Sequence, residues 1–269
     1  MHGDAINVLS GMSNPFGTIL RHWRGIRRHS QLSLACETGL SARHISFLET
    51  GRSRPSRNSI LTLARSLDMP KPSVNTAMLA AGFAPEYPSF DLGDSDLVPM
   101  MEALQTILDN HGPLPAIVID GEWQIVGGNK AAMQMMQILP FNGSLCTIDA
   151  LLNDDPTDPV FLNWDTIASW TVLRLQAEAA RAGGEGPLMD LQTRLMSDPR
   201  LTGKDLTTVA DGKPFLTLEL RYAGQALSLF TMLAEFGTAQ DITMSDRRIE
   251  LFFAADVETK SFFENLSDS

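Results

Sequence analysis

Apolar side chains recur at helical spacing through the first third of the chain, which predicts an all-helical region. Asn14 followed by Pro15 is typical of a helix start, because asparagine caps free backbone amides and proline fits the first turn. Four more helices are predicted, at about 31–38, 41–50, 56–67 and 71–81. Glycine follows three of these stretches, at Gly39, Gly51 and Gly82, where a left-handed residue is expected.

The pattern changes after residue 82. Residues 83–96 combine prolines with acidic residues and have no periodicity, which predicts a linker. Helical and alternating patterns then mix, with helices at about 97–110, 129–139, 163–182 and 186–197, strands at about 115–120, 123–128, 214–222, 226–236 and 248–256, and a short final helix. We expect a multi-domain chain: helices over 14–82, an α+β domain over 97–266, and a disordered segment at 1–13.

Composition limits the class of protein. The 269 residues are 43% hydrophobic and 20% charged, which excludes a disordered or fibrous chain. No apolar run reaches the length of a membrane span, and residues 1–13 lack the basic start and long apolar stretch of a secretion signal. We therefore expect a soluble cytoplasmic protein that does not insert into membranes.

Charge is distributed unevenly along the chain. The net charge of −11 disfavours nucleic acid as a partner, yet residues 1–82 hold 10 Lys/Arg against 4 acidic residues, while the remainder holds 11 against 28. A basic module attached to an acidic body has this distribution. The asymmetry makes DNA a candidate partner of the first region alone.

The spacing of small and apolar residues within 31–50 is typical of two helices joined by a tight turn. Ala35 is small enough to let two helices cross closely, and Gly39, four residues later, can adopt the left-handed conformation of the turn. The inner face would bury Leu34, Leu40, Ile45 and Leu48. The pattern predicts a helix-turn-helix motif, in which the second helix lies in the major groove of DNA.

The stretch SQLSLACETGLSARHISFLETGRSRPS, residues 30–56, resembles the phage-repressor-like (XRE) helix-turn-helix family. The resemblance extends over roughly residues 15–82 and implies an all-α, lambda-repressor-like DNA-binding domain. It also implies that Gln31 lies near a DNA phosphate, that the 41–50 helix enters the major groove, and that Arg24 and Glu49 form an ion pair between helices.

The outward positions of the 41–50 helix favour the same function. With Ile45 and Leu48 inward, the outward residues are Ser41, Ala42, Arg43, Ser46 and Phe47. Arg43 is the best candidate for base recognition because a guanidinium can donate two hydrogen bonds to guanine; a solvated or phosphate-binding arginine is the alternative. Ala42 and Phe47 are candidates for contacts with thymine methyl groups, although packing between domains would also explain an exposed Phe47.

Four further residues are candidates for contacts with the DNA backbone. Arg52, Arg54 and Arg57 follow the 41–50 helix in GRSRPS, where they would position the domain without specifying sequence. A solvated basic loop is the alternative. His44 either meets a phosphate or lies at the flank of the helix.

Catalysis and metal binding have few candidate residues beyond residue 82. His111 is the only histidine there, and its HGP context fits a cap or surface role. Cys146 lies among apolar residues, which predicts a core thiol, and two cysteines give neither a disulfide framework nor a zinc-ligand pair. The glycines at 183–186 follow a predicted helix and lack the lysine of a phosphate loop. We expect no enzyme, no catalytic residue and no metal.

The second region resembles the MmyB-like ligand-binding domain that follows an XRE domain in many bacterial regulators. Residues 115–135, 163–183 and the ending FGTAQDITMSDRRIELFFAAD (236–256) carry the resemblance, which covers roughly 97–262. It implies a PAS-like fold and a ligand that is a fatty acid or another small apolar molecule, with no other cofactor.

Methionine and aromatic residues adapt to apolar cavities, although they also fill ordinary cores. The candidate ligand contacts are Trp123, Met133, Met136, Trp164, Phe230 and Phe236, with Asn129 and Arg174 for a polar head group. Asn129 is equally a candidate helix cap, and Arg174 equally a surface residue.

Together these features predict a one-component transcription regulator. A helix-turn-helix domain would bind double-stranded DNA and the second domain would sense a small apolar ligand. A homodimer on a palindromic operator is expected, with half-sites about 34 Å apart or a multiple of it. In the alternative, the second domain only dimerises or binds a partner protein, without a ligand.

Overall fold

Five helices form the first part of the structure, a computed structural model that describes residues 14–206, 215–237 and 239–267. They are α1 (Pro15–Ile26), α2 (Gln31–Thr38), α3 (Ala42–Glu49), α4 (Arg57–Ser66) and α5 (Lys71–Ala80). Each corresponds to a helix that the hydrophobic pattern predicts. The segment 1–13, expected to be disordered, lies outside the described residues.

The described residues divide into two compact units. The first reaches Ser89 and also includes Ala179–Glu185, and the second holds the rest. The boundary between Ser89 and Phe90 falls inside the stretch 83–96 that composition marks as a linker. The grouping of Ala179–Glu185 with the first unit has no counterpart in the sequence prediction.

Side chains at the helix starts and one glycine explain where the helices of the first unit begin and end. The side chains of Asn14, Ser30, Ser41 and Ser56 each accept a hydrogen bond from a backbone N–H in the first turn of the helix that follows. Such caps replace the intrahelical partners that the first amides lack. Gly39 ends α2 with a φ of 71°, in the predicted left-handed conformation.

The core of the first unit is built from α2 and α3 together with neighbouring helices. Leu34, Ile45 and Leu48 are fully buried, in agreement with the predicted inner face. Leu40, which the pattern also places inside, is only half-buried, because it lies in the turn between the two helices.

Gly17 allows α1 to approach the C-terminal end of α3. A Cβ atom at Gly17 would lie 2.6 and 2.7 Å from the carbonyl oxygens of Leu48 and Glu49. Backbone atoms cannot move aside cheaply, so we expect Gly17→Ala to lower the free energy of unfolding by about 2 kcal/mol. Gly25, in the same helix, has open space around its Cβ position.

Gly25→Ala is therefore the matched control. Alanine has the higher helix propensity, so this variant should raise stability by up to about 1 kcal/mol. Denaturant unfolding of both variants checks the prediction, and a Gly17→Ala protein as stable as the Gly25→Ala protein would contradict it.

The second unit combines helices with one sheet. Its helices are α6 (Val98–Asn110), α7 (Lys130–Met136), α8 (Thr147–Leu152), α9 (Trp164–Ala182, the last four of whose residues belong to the first unit), α10 (Pro187–Met196), α11 (Ile242–Ser245) and α12 (Val257–Ser267). Its strands are β1 (Ala116–Ile119), β2 (Ile125–Gly128), β3 (Leu218–Tyr222), β4 (Gln225–Glu235) and β5 (Arg248–Ala254).

The five strands form one antiparallel sheet in the order β2-β1-β5-β4-β3. Side chains alternate between its faces along each strand. Ala116 and Val118 of β1 pack in a core with Leu104 and Leu108 of α6. Ile117 and Ile119 face the other way, into the larger core of the unit. Residues of both faces are thus buried, which explains why β1 is apolar throughout.

Local boundaries differ from the prediction around the first hairpin. Trp123, predicted within a strand, lies in the turn before β2 with a φ of 61°. The helix predicted at 129–139 ends at Met136, and the helix α8 has no counterpart in the predicted elements. Short helices and turns have weak periodic signals, which explains these misses.

Candidate functional site

Two arginines, one on the outward face of α3 and one in the loop that follows it, lie around one aromatic ring. Arg43 and Arg52 are exposed, and their guanidinium carbons lie 5.1 and 5.9 Å from the ring centre of Phe47. Phe47 is half-buried, which corrects the expectation of an exposed ring. Cation–π contacts of this kind hold both guanidinium groups over one surface.

Other residues predicted on this face are placed differently. Ser41 is exposed, and its hydroxyl caps α3 by accepting a hydrogen bond from the His44 N–H. Ala42 is half-buried against the core of the first unit, so it is not the outward residue that the spacing predicts. His44 and Ser46 are half-buried.

Glu49 binds several donors at the centre of the first unit. Arg24 donates from Nε to Oε1 at 2.6 Å and from Nη2 to Oε2 at 3.0 Å, which is the ion pair that the family resemblance implies. Gln31 donates from Nε2 to Oε2 at 2.8 Å. The Gln31 amide thus has a partner within the first unit, and its contact with a DNA phosphate stays a prediction.

The same donors set the pKa of Glu49. Burial on its own raises the pKa, but the hydrogen bonds from Arg24 and Gln31 and the charges of Arg24 and Arg21 outweigh it, so the pKa lies below its ordinary value. The charged form of Glu49 therefore stabilises the first unit.

The three arginines that follow α3, Arg52, Arg54 and Arg57, are all exposed. Arg57 also forms an ion pair with Glu86 and donates to the carbonyl of Ala84. Their contacts with DNA phosphates stay predictions.

A cavity of about 350 Å³ lies in the second unit. Its wall comes from the strands of the sheet and from α7, α8 and α9, and is mainly apolar, with Ile117, Ile125, Met135, Phe141, Ile148, Ile167 and Phe252 among its residues. Small-molecule sites have this character, an apolar wall with a few placed polar groups.

The cavity includes half of the ligand contacts that the sequence predicts. Trp123, Met136, Arg174 and Phe230 line it. Phe230 also stacks on the ring of Phe253, with the centroids 5.4 Å apart. The predicted aromatic and methionine contacts therefore include part of the cavity wall.

Asn129 and Met133 do not line the cavity, which corrects two predicted contacts. The buried side chain of Asn129 accepts hydrogen bonds from the N–H groups of Ala116 and Ala132, and it donates to the carbonyls of Leu108 and Leu114. Asn129 is therefore a helix cap, which was the alternative interpretation of this residue. Met133 is 43% exposed.

Trp164 and Phe236 are also placed away from the cavity. Trp164 is buried, its Nε1 donates to the carbonyl of Leu151, and the guanidinium of Arg200 lies 3.7 Å from its ring. Phe236 packs against the core on the α6 side of the sheet. Both are structural residues, as an ordinary core would require.

Two charged side chains, Arg174 and Glu250, line the cavity, and they belong to a network of four that also includes Glu178 and Arg248. Arg174 donates from Nε to Glu178 at 2.9 Å and from Nη1 to Glu250 at 2.5 Å. Glu178 also binds Nη1 of Arg248 at 2.6 Å and accepts from Nε1 of Trp123 at 2.8 Å. Arg174 is thus a buried member of a network and not the surface residue of the alternative.

Ionisation of the network follows from these contacts. Burial on its own lowers the pKa of Arg174, but Glu250 and Glu178 outweigh it and raise the pKa above its ordinary value. Burial on its own raises the pKa of Glu178, but Arg248, Trp123 and Arg174 lower it below the ordinary value. Arg174 and Glu178 are therefore charged at neutral pH.

The sequence contains signals for Glu178 and Glu250, the two carboxylates of the network, although neither is among the predicted ligand contacts. Glu178 follows Arg174 by four residues on one helix, the spacing of an ion pair. Glu250 is the lone acid within the apolar strand RIELFFA, and a charge at such a position requires a partner. Their meeting depends on the fold, because 72 residues separate Glu250 from Glu178.

An antiparallel sheet with helices and an apolar cavity with a few polar groups are features typical of small-molecule-binding domains. The chain belongs to the family described as MmyB-like transcription regulator ligand binding domain, whose model matches residues 100–266. This is a family of regulators and not of enzymes. The helices α1 to α5 lie outside the match.

Two solved structures show weak likeness to the chain. The PAS domain from Bordetella pertussis BvgS is 15% identical, with 63% of this chain and 96% of that chain covered and a TM-score of 0.28. An RNA-binding Light-Oxygen-Voltage receptor is 14% identical, with 98% and 67% covered and a TM-score of 0.24. No curated protein matches the chain. Among the described helices, none combines the length and apolar character needed to cross a bilayer.

Proposed function

We propose that the protein is a sequence-specific DNA-binding transcription regulator whose second unit senses a small apolar ligand. The single observation that carries the DNA-binding part is the surface formed by α3 and the loop after it, where Arg43 of the helix and Arg52 of the loop flank Phe47. The family to which residues 100–266 belong supports the regulatory part.

The first unit has the mechanical features of an XRE-type helix-turn-helix. The helices α2 and α3 are joined through Gly39 in the left-handed conformation, and Leu34, Ile45 and Leu48 bury their inner faces. A rigid pair of this kind places the outer face of its second helix in the major groove. Arg43 is then the residue for base recognition, and Arg52 and Arg54 bind phosphates.

One short helix reads too few bases for a specific site. A symmetric homodimer doubles the contacts, and its operator is palindromic, with half-sites about 34 Å apart or a multiple of that distance. DNA affinity then falls steeply with salt, because each phosphate contact releases a counterion.

The cavity supports a ligand with an aliphatic chain, as in fatty acids. A volume of about 350 Å³ has room for roughly a dozen non-hydrogen atoms if each takes the volume of one water molecule in the liquid. A ligand changes DNA affinity only if it binds differently to the DNA-binding and non-binding states, so it regulates by shifting their populations.

Arg43→Ala tests the DNA-binding part. The loss of a bidentate contact with guanine should weaken binding to the specific site by about 1–3 kcal/mol and leave nonspecific binding nearly intact. Arg52→Ala should weaken both by similar factors, since phosphate contacts carry no sequence information. Fluorescence anisotropy with specific and scrambled duplexes measures these effects.

The matched control is Arg65→Ala. Arg65 is an exposed arginine of α4 whose guanidinium donates to the carbonyl of Leu61 in its own helix. Its removal should leave both affinities unchanged. Equal losses on both duplexes for Arg43→Ala would make Arg43 a phosphate contact, and no loss on either would exclude it from the interface.

A further inference from the structure

The start of the predicted linker is docked on the first unit. Asn75 of α5, only 9% exposed, accepts hydrogen bonds from the backbone N–H groups of Glu86 at 2.9 Å and Tyr87 at 3.0 Å. It also donates from Nδ2 to the carbonyl of Tyr87 at 2.7 Å, and Nζ of Lys71 lies 5.8 Å from the centre of the Tyr87 ring. These contacts fix the backbone that carries the Glu86 side chain.

The carboxylate of Glu86 binds Arg57. The two side chains form an ion pair, and Arg57 Nη1 also donates to the carbonyl of Ala84 in the same segment at 3.4 Å. Arg57 is the first residue of α4 and one of the three arginines that are predicted to contact DNA phosphates. Arg52, by contrast, contacts the uncharged ring of Phe47. The charge of Arg57 is therefore balanced within the first unit.

A carboxylate and a phosphate compete for the same guanidinium group. Both offer paired oxygen acceptors to the N–H groups of arginine, so they bind it in similar geometry. A phosphate that approached Arg57 while Glu86 remained bound would meet a negative charge at close range. Because hydrogen bonds already hold the backbone of Glu86, its carboxylate stays near Arg57 at little further cost in chain entropy.

We propose that Glu86 is an intramolecular competitor of DNA, whose carboxylate occupies Arg57 until a phosphate displaces it. The proposal rests on the proposed DNA-binding function and identifies a contact that limits the affinity. Any change that undocks residues 84–87 from the first unit would raise the affinity for DNA. Because phosphate contacts carry no sequence information, the gain would be similar for every duplex.

Glu86→Gln tests this competition. The variant removes the competing charge, so the full chain should bind a duplex of random sequence about two- to fivefold more tightly, the factor expected for an ion pair between partly exposed side chains. Fluorescence anisotropy at moderate salt measures the gain. Glu37→Gln is the matched control, because it removes the same charge from an exposed carboxylate of α2 that binds Ser66 and His29. The control should gain less, and an equal gain would overturn the proposal.

A second comparison repeats the substitution in an Arg57→Ala background. If Glu86 acts by occupying Arg57, Glu86→Gln should tighten DNA binding less in this background than in the wild-type chain. A gain at least as large without Arg57 would overturn the proposal, because it would show a general effect of net charge. DNA binding by wild type without any gain in Glu86→Gln would overturn it too and leave the proposed function intact. Failure of the wild type and of every variant to bind any duplex would contradict the proposed function and this proposal with it.

Discussion

Glu49→Ala should lower the free energy of unfolding of the first unit by about 3 kcal/mol. The substitution removes the acceptor of Arg24 and Gln31 and leaves their donors without it in the interior. Breaking a buried ion pair costs about 3–5 kcal/mol, and the lower end applies because the Arg24 side chain is 18% exposed and keeps its bond to the carbonyl of His29.

Hydrogen exchange of residues 30–50 measures this stability within the unit. Glu37→Ala is the matched control, because Glu37 is an exposed carboxylate of α2 that binds Ser66 and His29. Exposed pairs contribute less than about 1 kcal/mol, so the control should change little. Equal losses for the two variants would contradict a special role of Glu49.

The pH dependence follows from the lowered pKa of Glu49. A carboxyl whose folded pKa is depressed contributes stability that is present above the unfolded value, about 4.3, and is lost as the pH falls through the folded pKa. The difference in stability between wild type and Glu49→Ala should therefore shrink as the pH falls below roughly 4. A difference that stays constant under acid would show that the carboxylate charge is not its cause.

Asn129→Ala should lower the free energy of unfolding of the second unit by about 4 kcal/mol. Its side chain bonds four backbone groups, the N–H groups of Ala116 and Ala132 and the carbonyls of Leu108 and Leu114. Each buried group left unsatisfied costs about 1–3 kcal/mol. The four bonds tie the ends of α6, β1 and α7 together, so no single element can compensate.

Asn153→Ala is the matched control, since Asn153 is an exposed asparagine that follows α8. It should change stability by less than about 0.5 kcal/mol. Denaturant unfolding followed by hydrogen exchange at 116 and 132 locates the effect. A loss below about 1 kcal/mol in Asn129→Ala would contradict the four-bond account.

Features encoded by neighbouring residues were predictable from the sequence. Asn14 and Ser56 cap helices because their side chains reach amides three residues away. Gly39 adopts the left-handed conformation of the turn because it has no Cβ atom, which is a property of the residue itself. Such local signals explain why the helices of the first unit could be predicted.

Features that depend on distant partners were not predictable. The side chains of Gln31 and Arg57 bind Glu49 and Glu86, 18 and 29 residues further on, and nothing in the local spacing indicates these partners. Spacing shows which residue types share a helix face, but it does not show which charge of another element will neutralise them.

Composition alone was equally compatible with an ordinary core, so the cavity was expected from the family resemblance, and its lining residues were predicted only in part. Trp123 and Met136 line it, whereas Met133, three residues before Met136 on the same helix, is 43% exposed. Positions three residues apart lie on neighbouring but not identical sides of a helix. The packing of α7 on the sheet decides which of its side chains reach the cavity. This packing cannot be predicted from a single sequence.

Repeated selection of bound duplexes from a random-sequence pool by the full chain, followed by sequencing, tests whether the outward face of α3 reads a DNA sequence as proposed. The selection is run with and without a medium-chain fatty acid. We expect wild type to enrich a palindromic motif and Arg43→Ala to lose the enrichment while it still retains DNA at low salt. Recovery of an unenriched pool by wild type, at low salt and with or without the fatty acid, would contradict the proposed DNA recognition.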